Sequence, residues 1–294
     1  MDITEIIRES VNSVSGEQLL SSALRMEGDF LKVKDILSNE TVVNLSDYNK
    51  IQIAGAGKAS AGMCVALERL LGKRISGGMV IVPAGCSEVS AAVGLVEAGH
   101  PYPDDSGTKA SLKLMQIADS ADEKTLIIFL LSGGASSLFS VRADGVSAED
   151  EKRLVSYMME SGADIRELNA VRRVYSLNKA GGFAVAAYPA TVLSLVISDV
   201  TGNDLSVIGS APSYQYEPDI NFILYTIKKY NLLAKCPDSI LPYLTKAVSE
   251  KISRNTRFKP TKSLHALIGD NVTLLENLER RLKEQGFEVV KILT

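Results

Sequence analysis

Two apolar runs of seven residues constrain the fold of this chain more than any other feature. Thr125–Leu131 and Thr191–Ile197 contain no charged residue, and glycine-rich polar segments follow both. Runs of this length and composition are typical of β-strands that are buried on both faces of a parallel sheet. Helices cover both faces of such a sheet. The sequence therefore predicts an α/β fold: a three-layer, Rossmann-like domain with a largely parallel sheet.

Other segments alternate between strand and helix patterns. We predict two helices within residues 2–38 that together bury Leu24 and Leu31. Further strands are predicted at 50–54, 78–82, 264–268 and 287–293, and further helices at 58–71, 108–120, 148–160, 164–180 and 272–285. The alternation restarts near residue 259. We therefore predict one Rossmann-like domain over 1–258 and the beginning of an incomplete second α/β domain over 259–294.

Composition excludes several classes of protein. A net charge of −3 gives no electrostatic reason to expect nucleic acid or an anionic membrane as partner. The three cysteines include no CxxC pair, and with two histidines they predict neither a zinc site nor a disulfide framework. No apolar run approaches the length of a membrane span, and Met1–Glu5 lacks the basic start of a signal peptide. We expect a cytoplasmic protein.

The segment Gly55–Ser60 follows the predicted strand 50–54 and precedes a helix. Glycines allow close approach of the backbone to a ligand, the helix start offers free N–H groups, and Lys58 adds a positive charge. These features favour a phosphate or carboxylate site. Neither common nucleotide motif fits, because Gln52 replaces the first glycine of a Walker A loop and Ser60 the third glycine of a dinucleotide fingerprint. The alternative is a tight turn with a solvated lysine.

A second small-residue segment, 132–137, follows the strand 125–131. Its backbone N–H groups and the hydroxyls of Ser132 and Ser136 predict an anion-binding nest. A serine hydrolase is poorly supported, because GxSxG is absent and only His100 and His265 could serve as a base. The alternative is a small-residue packing turn.

Acidic residues follow the strand 191–197. Asp199 and Asp204 lie in the segment Asp-Val-Thr-Gly-Asn-Asp. Mg²⁺ is commonly held by one or two carboxylates together with substrate phosphates, so these two residues are candidate Mg²⁺ ligands. The alternative is that both residues cap turns.

Polar residues share one face of the predicted helix 164–180. They are spaced at i, i+3, i+7 and i+10, and Arg173 lies beside them. The residues are Asn169, Arg172, Ser176 and Lys179. Such a face suits a carboxylate or phosphate, and the alternative is an ordinary solvated face.

Five motifs in this order resemble the glycerate 2-kinase family, over about residues 40–215. The matching stretches are Gly55–Ala59, Gly99–Pro101 with Pro103-Asp104 and Ser106-Gly107, Ser132–Ser136, Asn169–Lys179, and Ser198–Val200 with Gly202 and Asp204. The resemblance implies a cytoplasmic enzyme that transfers phosphate from ATP to D-glycerate with Mg²⁺, giving 2-phosphoglycerate. A homodimer is one possible assembly.

The resemblance also implies roles for individual residues. Lys58 and Arg172 would be catalytic, with Lys58 on the transferring phosphoryl group and Arg172 on the glycerate carboxylate. Asp199 and Asp204 would bind Mg²⁺. The residues expected to bind substrate or cofactor are Gly55, Gly57, Ser132, Gly133, Gly134, Ser136, Asn169 and Lys179.

The chain departs from the family pattern in several places. It has Arg172-Arg173-Val174 where members often have Arg-Lys-His, Lys179-Ala180-Gly181 where they have Lys-Gly-Gly, and Ser210-Ala211-Pro212 where they have Ser-Gly-Pro. Members continue into a second domain, of which this chain is expected to contain at most the beginning. Two alternatives stay open: a non-kinase enzyme, such as a sugar-phosphate isomerase or a dehydrogenase, and a non-catalytic domain that binds a phosphorylated metabolite.

Overall fold

The computed structural model describes residues 2–101, 104–217, 219–249 and 260–290. Three sequence-based expectations fall outside these ranges. They are Pro103 in the family motif, the domain boundary at 258/259, and residues 291–293 of the last predicted strand.

The N-terminal segment combines helices with a small sheet. Helices α1 (Ile3–Ser13) and α2 (Gly16–Ala23) precede an antiparallel sheet of β1 (Leu24–Glu27), β2 (Phe30–Lys34) and β3 (Glu40–Asn44). The prediction of helix through Leu31 is wrong. In β2, Leu31 and Val33 are buried between exposed or half-buried neighbours, so the apolar period there is two and not 3.6.

In the described residues the main sheet has six parallel strands in the order β6-β5-β4-β7-β8-β9. The prediction of a largely parallel α/β sheet is confirmed, and its apolar runs, β7 and β8, lie near the middle of the sheet. The strands are β4 (Lys50–Ala56), β5 (Gly77–Pro83), β6 (Gly94–Ala98), β7 (Thr125–Leu131), β8 (Thr191–Ile197) and β9 (Lys262–Gly269).

Helices cover both faces of this sheet. Alternate strand residues pack into two separate cores, with Ile53 and Ile128 on one face and Ala54 and Phe129 on the other. The remaining helices are α3 (Ser60–Leu71), α4 (Asp105–Asp119), α5 (Ala135–Leu138), α6 (Ala148–Glu160), α7 (Ile165–Arg172), α8 (Gly182–Ala187), α9 (Ile220–Lys229), α10 (Leu232–Lys235), α11 (Leu241–Ser249) and α12 (Asn271–Glu284). None of the helices in the described ranges is long and apolar enough to cross a membrane.

The single helix predicted over 164–180 is wrong, because α7 ends at Arg172. A short 3₁₀ turn follows, and the chain then runs beside residues 139–142. Leu177 N donates to Val141 O at 2.9 Å, and the Asn178 side chain accepts from Val141 N at 2.8 Å. These tertiary hydrogen bonds replace the helical ones, so residues 169–179 do not share one helix face.

The segment predicted to begin a second domain joins the first. Strand β9 pairs in parallel with β8, and α12 packs against α1, where Arg281 Nη1 lies 2.5 Å from Glu9 Oε2. Residues 287–290, predicted as strand, have no regular secondary structure. The described residues from 260 onwards therefore extend the main sheet and its helical layer.

Candidate active site

The loops after β4 and β7 are bonded to each other at the carboxyl edge of the sheet. Lys58 N donates to Gly133 O at 2.9 Å, and Ala59 N donates to Ser132 Oγ at 3.0 Å. Because β4 and β7 are neighbouring parallel strands, their ends meet at one edge, where ligands bind in open α/β sheets. The structure thus brings the first two predicted anion loops together.

Glycine is required where these loops meet. Gly57 has φ +141°, and a Cβ atom there would lie 2.1 Å from Ser132 Oγ. Gly133 approaches the next strand end as closely, since a Cβ atom on it would lie 2.4 Å from Asp199 Oδ2. Gly55, by contrast, lies inside β4 against Leu130, so its small size serves strand packing.

Several groups at this junction are suited to an anion. Within the described chain, the N–H groups of Gly133 and Gly134 have no hydrogen-bond acceptor, and both residues are partly exposed. Lys58 is exposed beside them. Free N–H groups in a turn next to a lysine form a site for phosphate or carboxylate oxygens.

His100 lies in the Gly99–Pro101 stretch of the family resemblance, but it was not among the predicted site residues. Its ring borders Gly134. Burial and the positive charge of Lys58 lower the pKa of His100 below its ordinary value, while Asp199 acts in the opposite direction. The sequence signal for this residue was a His-Pro pair in a polar loop. Because the strand before that loop, β6, was not predicted, the sequence did not place the loop at the carboxyl edge of the sheet.

A buried charge cluster lies behind the second loop. Glu151 of α6 accepts from Arg142 Nη1 and from Arg172 Nε, each at 3.1 Å, and from Ser140 Oγ at 3.3 Å. Burial alone would raise the pKa of Glu151, but Arg172, Lys179 and Arg142 together hold it below its ordinary value. Glu151 therefore stays ionised in the core, where its side chain is 2% exposed.

Ser136 joins this cluster to the loop. Arg172 Nη1 donates to Ser136 Oγ at 2.7 Å, and Lys179 Nζ donates to Ser136 O at 3.0 Å. Ser136 Oγ in turn lies 2.7 Å from Ser210 Oγ, which donates to Asn169 Oδ1 at 2.9 Å. These contacts bring four of the predicted residues together, through hydrogen bonds to Ser136 and Ser210 that the sequence did not reveal. The four are Ser136, Asn169, Arg172 and Lys179.

Lys179 is buried under the loop, at 5% exposure. Burial and the neighbouring Arg172 lower the pKa of Lys179 well below its ordinary value, with Glu151 opposing them. Arg142, Arg172 and Lys179 are three basic groups around a single carboxylate. Even with Lys179 neutral, the cluster carries more positive than negative charge.

The two predicted metal ligands have different surroundings. Asp204 Oδ1 accepts from Ser206 N at 2.9 Å and from Ser206 Oγ at 2.7 Å, which is the turn-capping role that the sequence also allowed. Asp199 is exposed at the end of β8, and its carboxylate has no hydrogen bond to a described residue. No group of three or more His, Cys, Asp or Glu residues that could hold a metal ion occurs in the described ranges.

Comparisons with known proteins support the motif resemblance. A family described as "Domain of unknown function (DUF4147)" matches residues 2–245. The chain is 33% identical over 256 residues to a D-glycerate 2-kinase from Thermotoga maritima, covering 87% of this chain and 59% of the relative. It is 37% identical over 181 residues to a putative hydroxypyruvate reductase from Agrobacterium vitis, covering 62% of this chain and 47% of the relative.

A crystal structure of glycerate kinase from T. maritima shares the fold, with a TM-score of 0.76 and 29% identity over 96% of this chain and 62% of that one. This chain spans about three fifths of the length of that solved chain and of the curated D-glycerate 2-kinase. The family match covers most of the sequence, and both predicted anion loops lie inside it. The chain therefore belongs to the DUF4147 family and is a relative of the glycerate kinases.

Proposed function

We propose that this chain binds ATP and D-glycerate at the junction of the β4 and β7 loops and transfers the terminal phosphate to give 2-phosphoglycerate. One observation carries the proposal: Lys58 stands beside the acceptor-free N–H groups of Gly133 and Gly134, at the carboxyl edge of a parallel sheet. The T. maritima relative and solved structure are named as glycerate kinases, which supports glycerate as the acceptor of the phosphoryl group.

Phosphoryl transfer needs positioning and charge stabilisation more than covalent help from the protein. Lys58 is assigned to the oxygens of the transferring phosphoryl group, where its charge offsets the negative charge of the transition state. The backbone N–H of Lys58 donates to Gly133 O, so the main chain at the lysine is joined to the nest. Ser132 fixes the same junction through its bond to Ala59 N.

The glycerate carboxylate is assigned to the face of the 132–137 loop above the buried cluster. Arg172 donates hydrogen bonds to Ser136 and to Glu151, so it holds the loop in place. Its positive charge also attracts the glycerate carboxylate. A bound anion would offset the surplus positive charge of Arg142, Arg172 and Lys179, which is costly to bury without a counter-charge.

Mg²⁺ is implied by ATP chemistry, and the residues present fit it. The exposed Asp199 carboxylate beside Gly133 is the kind of single ligand that Mg²⁺ combines with phosphate oxygens. When bound, Mg²⁺ would neutralise charge on those oxygens. Asp204 is the weaker candidate of the two, since one of its oxygens already caps a turn.

The reductase name of the A. vitis relative suggests a nicotinamide enzyme as a second candidate. A dinucleotide fingerprint has a third glycine where this chain has Ser60. Ser60 Oγ is buried, 3.0 Å from Ser132 Oγ and 3.2 Å from Leu130 O, so its hydroxyl helps to join the two loops. This arrangement favours the kinase.

The test is ADP release from ATP and Mg²⁺, with and without D-glycerate. We expect ADP only with glycerate, loss of that activity in Lys58→Ala, and normal activity in the control Lys73→Ala, which alters an exposed lysine in the 3₁₀ turn after α3. Glycerate-independent ADP release, or a fully active Lys58→Ala, would contradict the assignment. Ligand-dependent stabilisation without ADP would instead support a non-catalytic binding domain.

A further inference from the structure

A cavity opens near the proposed reaction site. It has a volume of about 230 Å³ and lies between α7, the 204–207 turn and the start of α9. Its lining includes two basic, one amide, two acidic and two aromatic side chains. They are Arg166, Arg173, Asn169, Asp204, Asp219, Tyr216 and Phe222.

Arg173 has donor capacity that the protein leaves unused. Its guanidinium lies over the Tyr216 ring, 4.5 Å from the centroid, and Nη2 donates to Tyr216 O at 3.1 Å. Nη1 is buried without a hydrogen-bond partner, and no carboxylate in the described ranges forms an ion pair with this arginine. An unpartnered buried donor is costly, and a ligand that offered an acceptor would satisfy it.

The carboxylates of the cavity argue against a simple anion as the occupant. Asp204 Oδ1 and Asp219 Oδ1 accept from backbone N–H groups of their own turns. Their charges offset those of the two lining arginines, Arg166 and Arg173, so the cavity has no surplus positive charge for a simple anion. Carboxylate oxygens are also good acceptors for hydroxyl groups. Tyr216 and Phe222 add flat apolar surface. A ligand with hydroxyls, ring acceptors and a planar body matches all of these features.

The cavity also lies at the right place relative to the phosphate nest. Asn169 lines it and accepts from Ser210, and Ser210 lies 2.7 Å from Ser136 of the second loop. Two hydrogen bonds therefore separate the cavity wall from the loop that carries Gly133 and Gly134. A ligand with a polar tail could occupy both.

We propose that this cavity receives the nucleoside of the phosphoryl donor, with the base against Phe222 and the part of Tyr216 that Arg173 leaves uncovered, an acceptor facing Arg173 and the ribose hydroxyls facing Asp219. The inference rests on the proposed kinase function, since that function requires a nucleotide whose phosphates lie at Lys58. A purine base stacked on aromatic and guanidinium groups is a recurrent mode of recognition.

The test compares two ligands by calorimetry in the presence of Mg²⁺: ATP, and tripolyphosphate, which lacks the nucleoside. We expect Arg173→Leu and Tyr216→Leu to raise the Kd for ATP by about tenfold or more, as for loss of a stacked base. The Kd for tripolyphosphate should stay unchanged in both variants, which also shows that they are folded. The control Arg280→Leu removes an exposed arginine of α12 and should change neither Kd.

Equal weakening of both ligands in Arg173→Leu would identify an anion site and overturn the proposal. So would unchanged ATP affinity, or a wild-type chain that binds ATP no better than tripolyphosphate. The kinase assay tests the proposed function separately from the nucleoside site. If the chain makes phosphoglycerate while Arg173→Leu keeps its affinity for ATP, the nucleoside site is contradicted and the kinase function is not. If Arg173→Leu selectively loses affinity for ATP but the wild-type chain forms no phosphoglycerate, the kinase function is contradicted and the nucleoside site is not.

Discussion

Replacing Glu151 by glutamine tests the buried charge cluster. The substitution keeps the size of the side chain and one acceptor oxygen but removes the charge that faces Arg142 and Arg172, each 3.1 Å from a carboxylate oxygen. The side chains of Arg142 and Arg172 are 6% and 11% exposed, so water screens this loss only slightly. Breaking a buried pair from one side costs about 3–5 kcal/mol, because the remaining charges stay buried.

Urea unfolding followed by circular dichroism measures this loss. We expect Glu151→Gln to lower the free energy of unfolding by about 3–5 kcal/mol at pH 7, and the control Glu123→Gln, an exposed residue, to change it by less than about 0.5 kcal/mol. A Glu151→Gln protein as stable as the wild type would refute the argument that the cluster is held by this carboxylate.

The pH dependence of the same measurement gives a second check. The pKa of Glu151 is lower in the folded state than in the unfolded state, so the unfolded chain binds more protons as the pH falls. The stabilisation is complete above the unfolded value of about 4.3 and is lost as the pH falls through the folded pKa. The difference between wild type and Glu151→Gln should therefore shrink in acid. A difference that stayed constant down to the acid unfolding limit would contradict this.

Three further predictions concern the loops. Gly57→Ala should destabilise the chain by about 1–3 kcal/mol, because its Cβ would meet Ser132 Oγ at 2.1 Å. Gly202→Ala also places alanine at a positive φ, of +83°, but its Cβ would meet nothing, so in thermal unfolding it is the control for backbone strain without the steric contact and should be the less destabilising of the two. Gly133→Ala should raise the Kd for ATP with little change in secondary structure, because its Cβ would displace the Asp199 carboxylate; unchanged ATP affinity by calorimetry would argue against a ligand there. Lys58→Met should raise the pKa of His100 in an NMR titration, since burial and then the Lys58 charge lower it; an unmoved pKa would show that Lys58 lies too far from the ring to act on it.

The sheet could be predicted because its signal is local. After an initial threonine, β7 is apolar throughout and β8 is apolar except for Ser194, and each strand is followed directly by its loop of small or acidic residues. Parallel pairing then places those loops at one edge. This is why Lys58, Gly133 and Asp199 could be grouped from the sequence before any contact was known.

The features that were not predicted from the sequence depend on contacts between residues far apart in the chain. The helix predicted over 164–180 ends early because Leu177 and Asn178 bond to residues 139–141, which no helical period encodes. Glu151 resembles any other acid in the charged first turn of α6, and only its burial shows its role. Strand β9 was assigned to a new domain because the strand–helix alternation restarts near residue 259. Its pairing with β8 bridges more than sixty residues, from Ile197 to Lys262, and has no local signal in the sequence.

The central claim, phosphorylation of D-glycerate at its 2-hydroxyl, is tested most directly by proton-coupled ³¹P NMR of a reaction containing the chain, ATP, Mg²⁺ and D-glycerate. A phosphate on the 2-position couples to one vicinal proton, and a phosphate on the 3-position couples to two. We predict a new phosphomonoester signal that is a doublet and is missing with Lys58→Ala. A triplet would contradict the assigned position, and a spectrum with no phosphoglycerate signal would contradict the kinase assignment itself.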